Sequence, residues 1–224
     1  MTSVTPPARR WPLPTVALAV AFVAIIVGAV TVVVPRQAAV DEPTSTLIAV
    51  VGDSVSAGRN NEAVWPTLLS ERTGWPVANF AQPDAGFVRD DQGGHAYAYQ
   101  VERAAQVRPR VIVVMTGTAD VEIAFSGAVA VAASDCFDRI KLLGIQALAV
   151  GPTWFDADVP DGLRAVSDQV RDAANRAGVP FLDGLNPPWL IGDQMQANLQ
   201  GPNDVGQSVI ADKVAAWLRQ EVRP

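Results

Sequence analysis

Residues Thr46–Gly58 read TLIAVVGDSVSAG. The first six are apolar or β-branched, carry no charge and stop at Gly52. A short continuous apolar run ending in glycine is how a strand buried on both faces of a parallel sheet looks. The residues after it, from Asp53 to Gly58, then form a loop at the carboxyl end of that strand.

Working outward, the pattern repeats. A helix is expected over Glu62–Thr73 and a short strand near Val77–Phe80. Gln82–Gly94 is rich in Gly, Asp and Pro and reads as a long loop. A helix over Ala96–Gln106 precedes VIVVM at Val111–Met115, the clearest strand in the chain. Ser126–Leu143 is expected as a helix and Ala147–Val150 as a strand. Leu163, Val166, Val170, Ala173 and Ala174 recur at helical spacing, which makes Asp161–Arg176 amphipathic. Pro180–Leu182 is a brief strand, and Val209, Ile210, Val214, Trp217 and Leu218 mark a last helix. Apolar strands alternating with helices give an α/β domain, a parallel sheet covered on both faces. Ligands of such sheets sit beyond the carboxyl ends of the strands, so the loops after Val51, Phe80, Met115, Val150 and Leu182 are the ones to search.

The N-terminus has a different character. Thr15–Val34 is twenty residues without a charge, enough to span a hydrocarbon core of about 30 Å. Arg9 and Arg10 precede it and Trp11 sits at an interfacial position, so the expected topology is N-terminus inside and domain outside. A cleavable signal peptide has a shorter apolar core and a small-x-small site. Gln37-Ala38-Ala39-Val40 is a poor site, which favours an uncleaved anchor. The expected organisation is a cytoplasmic stretch 1–14, an anchor 15–34, a linker 35–45 and one extracytoplasmic domain 46–224.

The formal charge is −6. Arg9, Arg10 and Arg36 are the only charged residues of 1–40, so the remainder carries −9. An acidic domain repels phosphate backbones, which argues against nucleic acid as a partner. His95 is the single histidine and Cys136 the single cysteine. A lone cysteine can form no intrachain disulfide, one His and one Cys far apart make no transition-metal site, and no cofactor is implied.

Four loops carry a resemblance. Gly52-Asp53-Ser54-Val55-Ser56-Ala57-Gly58 is a GDSxxxG at the end of the first strand. Asn79–Gly86 follows the second strand, and Gly117-Thr118-Ala119-Asp120 the third. Asn198–Gly206, reading NLQGPNDVG, precedes the last helix. In order and position these blocks resemble those of the SGNH (GDSL-type) hydrolases, over roughly Thr46–Leu218. The resemblance implies a flavodoxin-like three-layer α/β/α sandwich with strand order 2-1-3-4-5. It implies Ser54 as the nucleophile position and Gly86 as the glycine whose N–H helps to bind an oxyanion.

The rest of that family's machinery is replaced. Ala119 stands where the family has its oxyanion asparagine, Asn198 where it has aspartate and Gly201 where it has histidine. A serine hydroxyl needs a base, the base needs an orienting group, and the oxyanion needs preorganised donors. Loss of the base costs on the order of 10⁶ in kcat, and loss of one oxyanion side chain about 10²–10³. The expectation is a degenerate, non-catalytic or impaired domain that binds an envelope glycan, an acyl group or another envelope protein. The alternative is a low-turnover esterase or acyltransferase in which His95 serves Ser54, oriented by Asp84, Asp90 or Asp91. Trp154 and Trp189, on two of the loops named above, are candidate binding aromatics. Ser56 is expected to be structural.

Overall fold

The computed structural model describes residues 46–222. Five strands form one sheet: β1 (Ile48–Val51), β2 (Val77–Asn79), β3 (Val111–Met115), β4 (Gln146–Val150) and β5 (Phe181–Leu182). Every pairing is parallel and the order is β2-β1-β3-β4-β5. Six α-helices connect and flank them: α1 (Ser54–Ala57), α2 (Trp65–Thr73), α3 (Tyr97–Ala105), α4 (Ala128–Leu142), α5 (Asp161–Ala177) and α6 (Asp204–Glu221). Among these residues no helix is long and apolar enough to cross a membrane. The anchor expected at Thr15–Val34, with residues 1–45 generally, lies outside them.

The continuous apolar runs are explained by burial on both faces. Ala49, Val51, Ile112 and Val114 face Val101, Phe137 and Val166 of the α3–α4–α5 layer. Ile48, Val50, Val111, Val113 and Met115 face Trp65, Leu69, Ile210 and Val214 of the α2–α6 layer. All nine strand residues are wholly inaccessible, as a three-layer sandwich requires.

Differences from the expected boundaries have local causes. α2 starts at Trp65 rather than Glu62, because Pro66 is tolerated only in a first turn. The helix expected from Ser126 begins at Ala128, after Gly127 turns the chain with φ +76. A 3-10 segment, Val121–Ser126, precedes that turn and was not foreseen. α6 begins at Asp204, where the Asn203 side chain accepts from Gly206 N–H at 3.0 Å.

Candidate functional site

The loop bearing Ser54 is held from beneath by buried polar side chains. Asp53 caps the one-turn helix α1, accepting from Val55 N–H at 2.9 Å. Gln100, on α3, spans Gly52: it accepts from its N–H and donates to its carbonyl, both at 2.9 Å. Gln207, on α6, accepts from Trp65 N–H at 2.8 Å and donates to Val55 O at 3.0 Å. Ser56 accepts from the Trp65 indole at 3.0 Å and is fully buried, the structural role expected of it.

The carboxylates of Asp53 and Asp120 tie the neighbouring loops together. Asp53 also accepts from Thr118 N–H at 3.1 Å. A Cβ on Gly117 would lie 1.6 Å from that carboxylate, so only glycine fits. Burial pushes the Asp53 carboxyl up to about 6, with the charge of Asp84 adding to the rise. Asp120 accepts from Phe87 N–H at 2.7 Å and Arg89 N–H at 2.9 Å, folding the long second loop back on itself.

Ser54 itself is half-buried and fully engaged. Its hydroxyl donates to Asp84 Oδ1 at 3.2 Å. Its oxygen accepts from Asp84 N–H at 2.9 Å and from Arg59 Nη2 at 3.2 Å. Arg59 also closes an ion pair with the Asp84 carboxylate. Asp84 reaches this place on a left-handed backbone, φ +56, at the tip of the second loop. Neither Arg59 nor the amide of Asp84 was singled out from the sequence. A positive φ at an Asp and an arginine one residue past the GDSxxxG leave no pattern to read.

Two cavities open on Ser54, of about 580 and 400 Å³. Ala119 lines the first and Gly201 the second, while Trp154 lines both. Four expected site residues stand elsewhere. The Gly86 N–H donates to Arg89 O at 3.0 Å, and a Cβ there would lie 2.4 Å from Asp120. Gly86 therefore packs the loop, and the amide facing Ser54 belongs to Asp84. Asn198 lines neither cavity; its side chain accepts from Gln200 N–H at 3.1 Å in an exposed turn. Trp189 packs on the α2–α6 side of the sheet, with Lys213 Nζ 5.9 Å from its ring centroid.

His95 is the fourth. It lines neither cavity, and its Nδ1 is buried without a partner. Asp90 spends its carboxylate on the backbone N–H groups of Gly94, His95 and Ala96, which hold its pKa below the ordinary value. Asp91 pairs with Arg89 and Asp84 with Arg59. None of the three expected orienters is hydrogen-bonded to the imidazole, so the structure does not assemble the Ser54–His95 pair.

The sequence pattern of the GDSL-like lipase/acylhydrolase family matches residues 50–220, most of the domain. The chain belongs to this family. A GDSL lipase of Mycobacterium tuberculosis is 24% identical over 190 residues, covering 78% of this chain and 82% of that protein. The fold matches TesA with a TM-score of 0.65 at 18% identity, over 79% of this chain and 99% of that one. It matches the psychrotrophic esterase EstA from Pseudoalteromonas sp. with a TM-score of 0.63 at 14% identity, over 79% and 98%. Within this GDSL frame, the serine loop and its two supporting aspartates are in place. No histidine follows residue 95 in the chain.

Proposed function

We propose that this GDSL-family domain is a binding protein whose Ser54 is chemically silent, and that its cleft takes a glycan or acyl group of the cell envelope. In this reading Thr15–Val34 anchors the chain and the domain lies outside the membrane. The observation that carries it is the state of the serine. A hydroxyl has one proton and two lone pairs. At Ser54 the proton goes to Asp84 and the lone pairs receive the Asp84 amide and Arg59. A guanidinium on the oxygen withdraws the electrons that attack requires. The Asp84 carboxylate, only 3.2 Å from that oxygen, would also repel negative charge developing on a tetrahedral intermediate.

A second reading keeps Ser54 reactive, with the Asp84 carboxylate as its base, since 3.2 Å is within proton-transfer reach. The ion pair with Arg59 weighs against it, because it occupies the same Asp84 Oδ1 that would have to take the proton. Hydrolysis of p-nitrophenyl butyrate by the full-length protein, beside Ser54→Ala, separates the two. Equal rates, at the level of the buffer, are expected. Turnover that disappears with Ser54 contradicts the silent-serine reading.

A further inference from the structure

The two cavities at Ser54 share five residues: Asp53, Ser54, Asp84, Thr118 and Trp154. They are neighbouring chambers of one cleft. Each is lined by one of the small residues that stand where the family carries a larger polar side chain: Ala119 in the first, Gly201 in the second. A Cβ added to Gly201 would meet no heavy atom within 4 Å, and its φ lies outside the left-handed region. The space beside it is therefore open, not refilled by repacking.

We propose that Ala119 and Gly201 are specificity determinants: each leaves open the chamber it lines, and the two chambers, meeting at Ser54 and Trp154, form a groove for a linear, uncharged oligosaccharide lying across Ser54. This deepens the binding reading above and rests on it. The lining has the amphipathic character of a sugar ring, apolar on the faces and polar at the edges. In the first chamber Val121, Trp154 and Leu163 provide apolar surface, while Gln92, Asp91 and Glu122 provide donors and acceptors. In the second, Met195, Leu199 and Pro202 provide the apolar surface and Thr153 and Gln200 the polar groups. An acyl chain would want apolar wall throughout. Arg59 and Arg89 pair with Asp84, Asp91 and Glu122, yet carboxylates still outnumber arginines in the lining, which disfavours an anionic ligand. Trp154 has already donated its indole N–H to Asp158 O at 3.3 Å and stacks on Phe155 at 4.7 Å. Its ring lines both chambers.

The test is calorimetric titration of the full-length protein with N-acetylchitotetraose, xylotetraose, their monosaccharides and octanoate. At least one tetrasaccharide is expected to bind at least about tenfold tighter than its monosaccharide, with octanoate not binding. Ala119→Leu and Gly201→Leu each narrow one chamber, and each is expected to weaken the tetrasaccharide by about tenfold or more at unchanged melting temperature. Gln200→Trp, an exposed position on the second chamber, gives the same reading should Gly201→Leu fail to fold. Binding independent of chain length, no binding by either tetrasaccharide, or binding of octanoate alone overturns the groove. Ser54-dependent ester turnover overturns the silent-serine reading instead, so the two failures are distinguishable.

Discussion

The loop of Ser54 and the loop of Gly201 face the same cleft but are held differently. The first is fastened to the core by Gln100 and Gln207, both wholly buried, and by Asp53 at 2% exposure. The second is held by its own turns, with Gln196 N–H on Gly201 O at 2.9 Å and Gln200 N–H on Asn198. Its side-chain hydrogen bonds to the rest come from the half-buried Asn61 and Gln196. Asn198 and Gly201, which the sequence reading takes as replacements of the family's aspartate and histidine, both lie in this second loop. Where a residue holds the sheet edge together, the fold itself demands it. Where it serves only chemistry, the fold is indifferent to its replacement.

That contrast breaks if the first loop tolerates loss of its supports. Gln100→Leu strands the N–H of Gly52 in the core, at about 1–3 kcal/mol, and removes the hydrogen bonds to the carbonyls of Gly52 and His95, at about 0.5–1.5 kcal/mol each. Urea unfolding should lose about 2–5 kcal/mol. An unchanged midpoint would mean that Gln100 is not the clamp described.

Next in size is a pH effect from Asp53. Its carboxyl sits at about 6 in the fold against an ordinary 3.8. Between those values the native state keeps a proton that the unfolded chain has lost. Its contribution is level below about pH 4, falls as pH rises to about 6, and is level again above. The total is on the order of 3 kcal/mol. The difference in unfolding free energy between wild type and Asp53→Asn should show this slope between pH 4 and 6. A difference flat in pH would contradict it.

Gly117→Ala and Gly201→Ala compare the loops directly. The first drives a methyl into the Asp53 carboxylate and should cost about 1–3 kcal/mol. The second points into open space and should stay within about 0.5 kcal/mol. Equal thermal shifts would erase the distinction. Smallest of all, Arg139→Ala removes an exposed pair with Glu102, and about 0.2–1 kcal/mol is expected from thermal melts.

The fold was legible because its signals are local. VIVVM at Val111–Met115 and TLIAVV at Thr46–Val51 need nothing distant to read as buried strands. The parallel α/β class followed from alternation, and the strand order from the family resemblance that the four loop blocks carry. Of the site, the place of Ser54 on the loop after β1, lining the cleft, was legible because its own loop sets it. Gly86 was misplaced because two glycine-compatible positions, 84 and 86, share one loop, and an Asp with φ +56 is invisible in sequence. His95 and Trp189 lie on cleft-edge loops in sequence yet pack away from Ser54, since chain position does not fix a side chain's direction. Gln100 and Gln207 did leave a trace. Each is a lone polar residue in a buried helix stripe, beside Val101 and Ala104 in one case and Ile210 and Ala211 in the other. A polar residue there must find buried partners.

The central claim is that Ser54 is held silent by Asp84 and Arg59. Its most direct test is the rate of labelling by a fluorophosphonate probe, followed by intact mass, on the full-length protein and on Ser54→Ala. The account predicts that both remain unmodified over hours at a probe concentration that saturates an active serine esterase within minutes. A wild type that gains one phosphonyl mass while Ser54→Ala does not would contradict it.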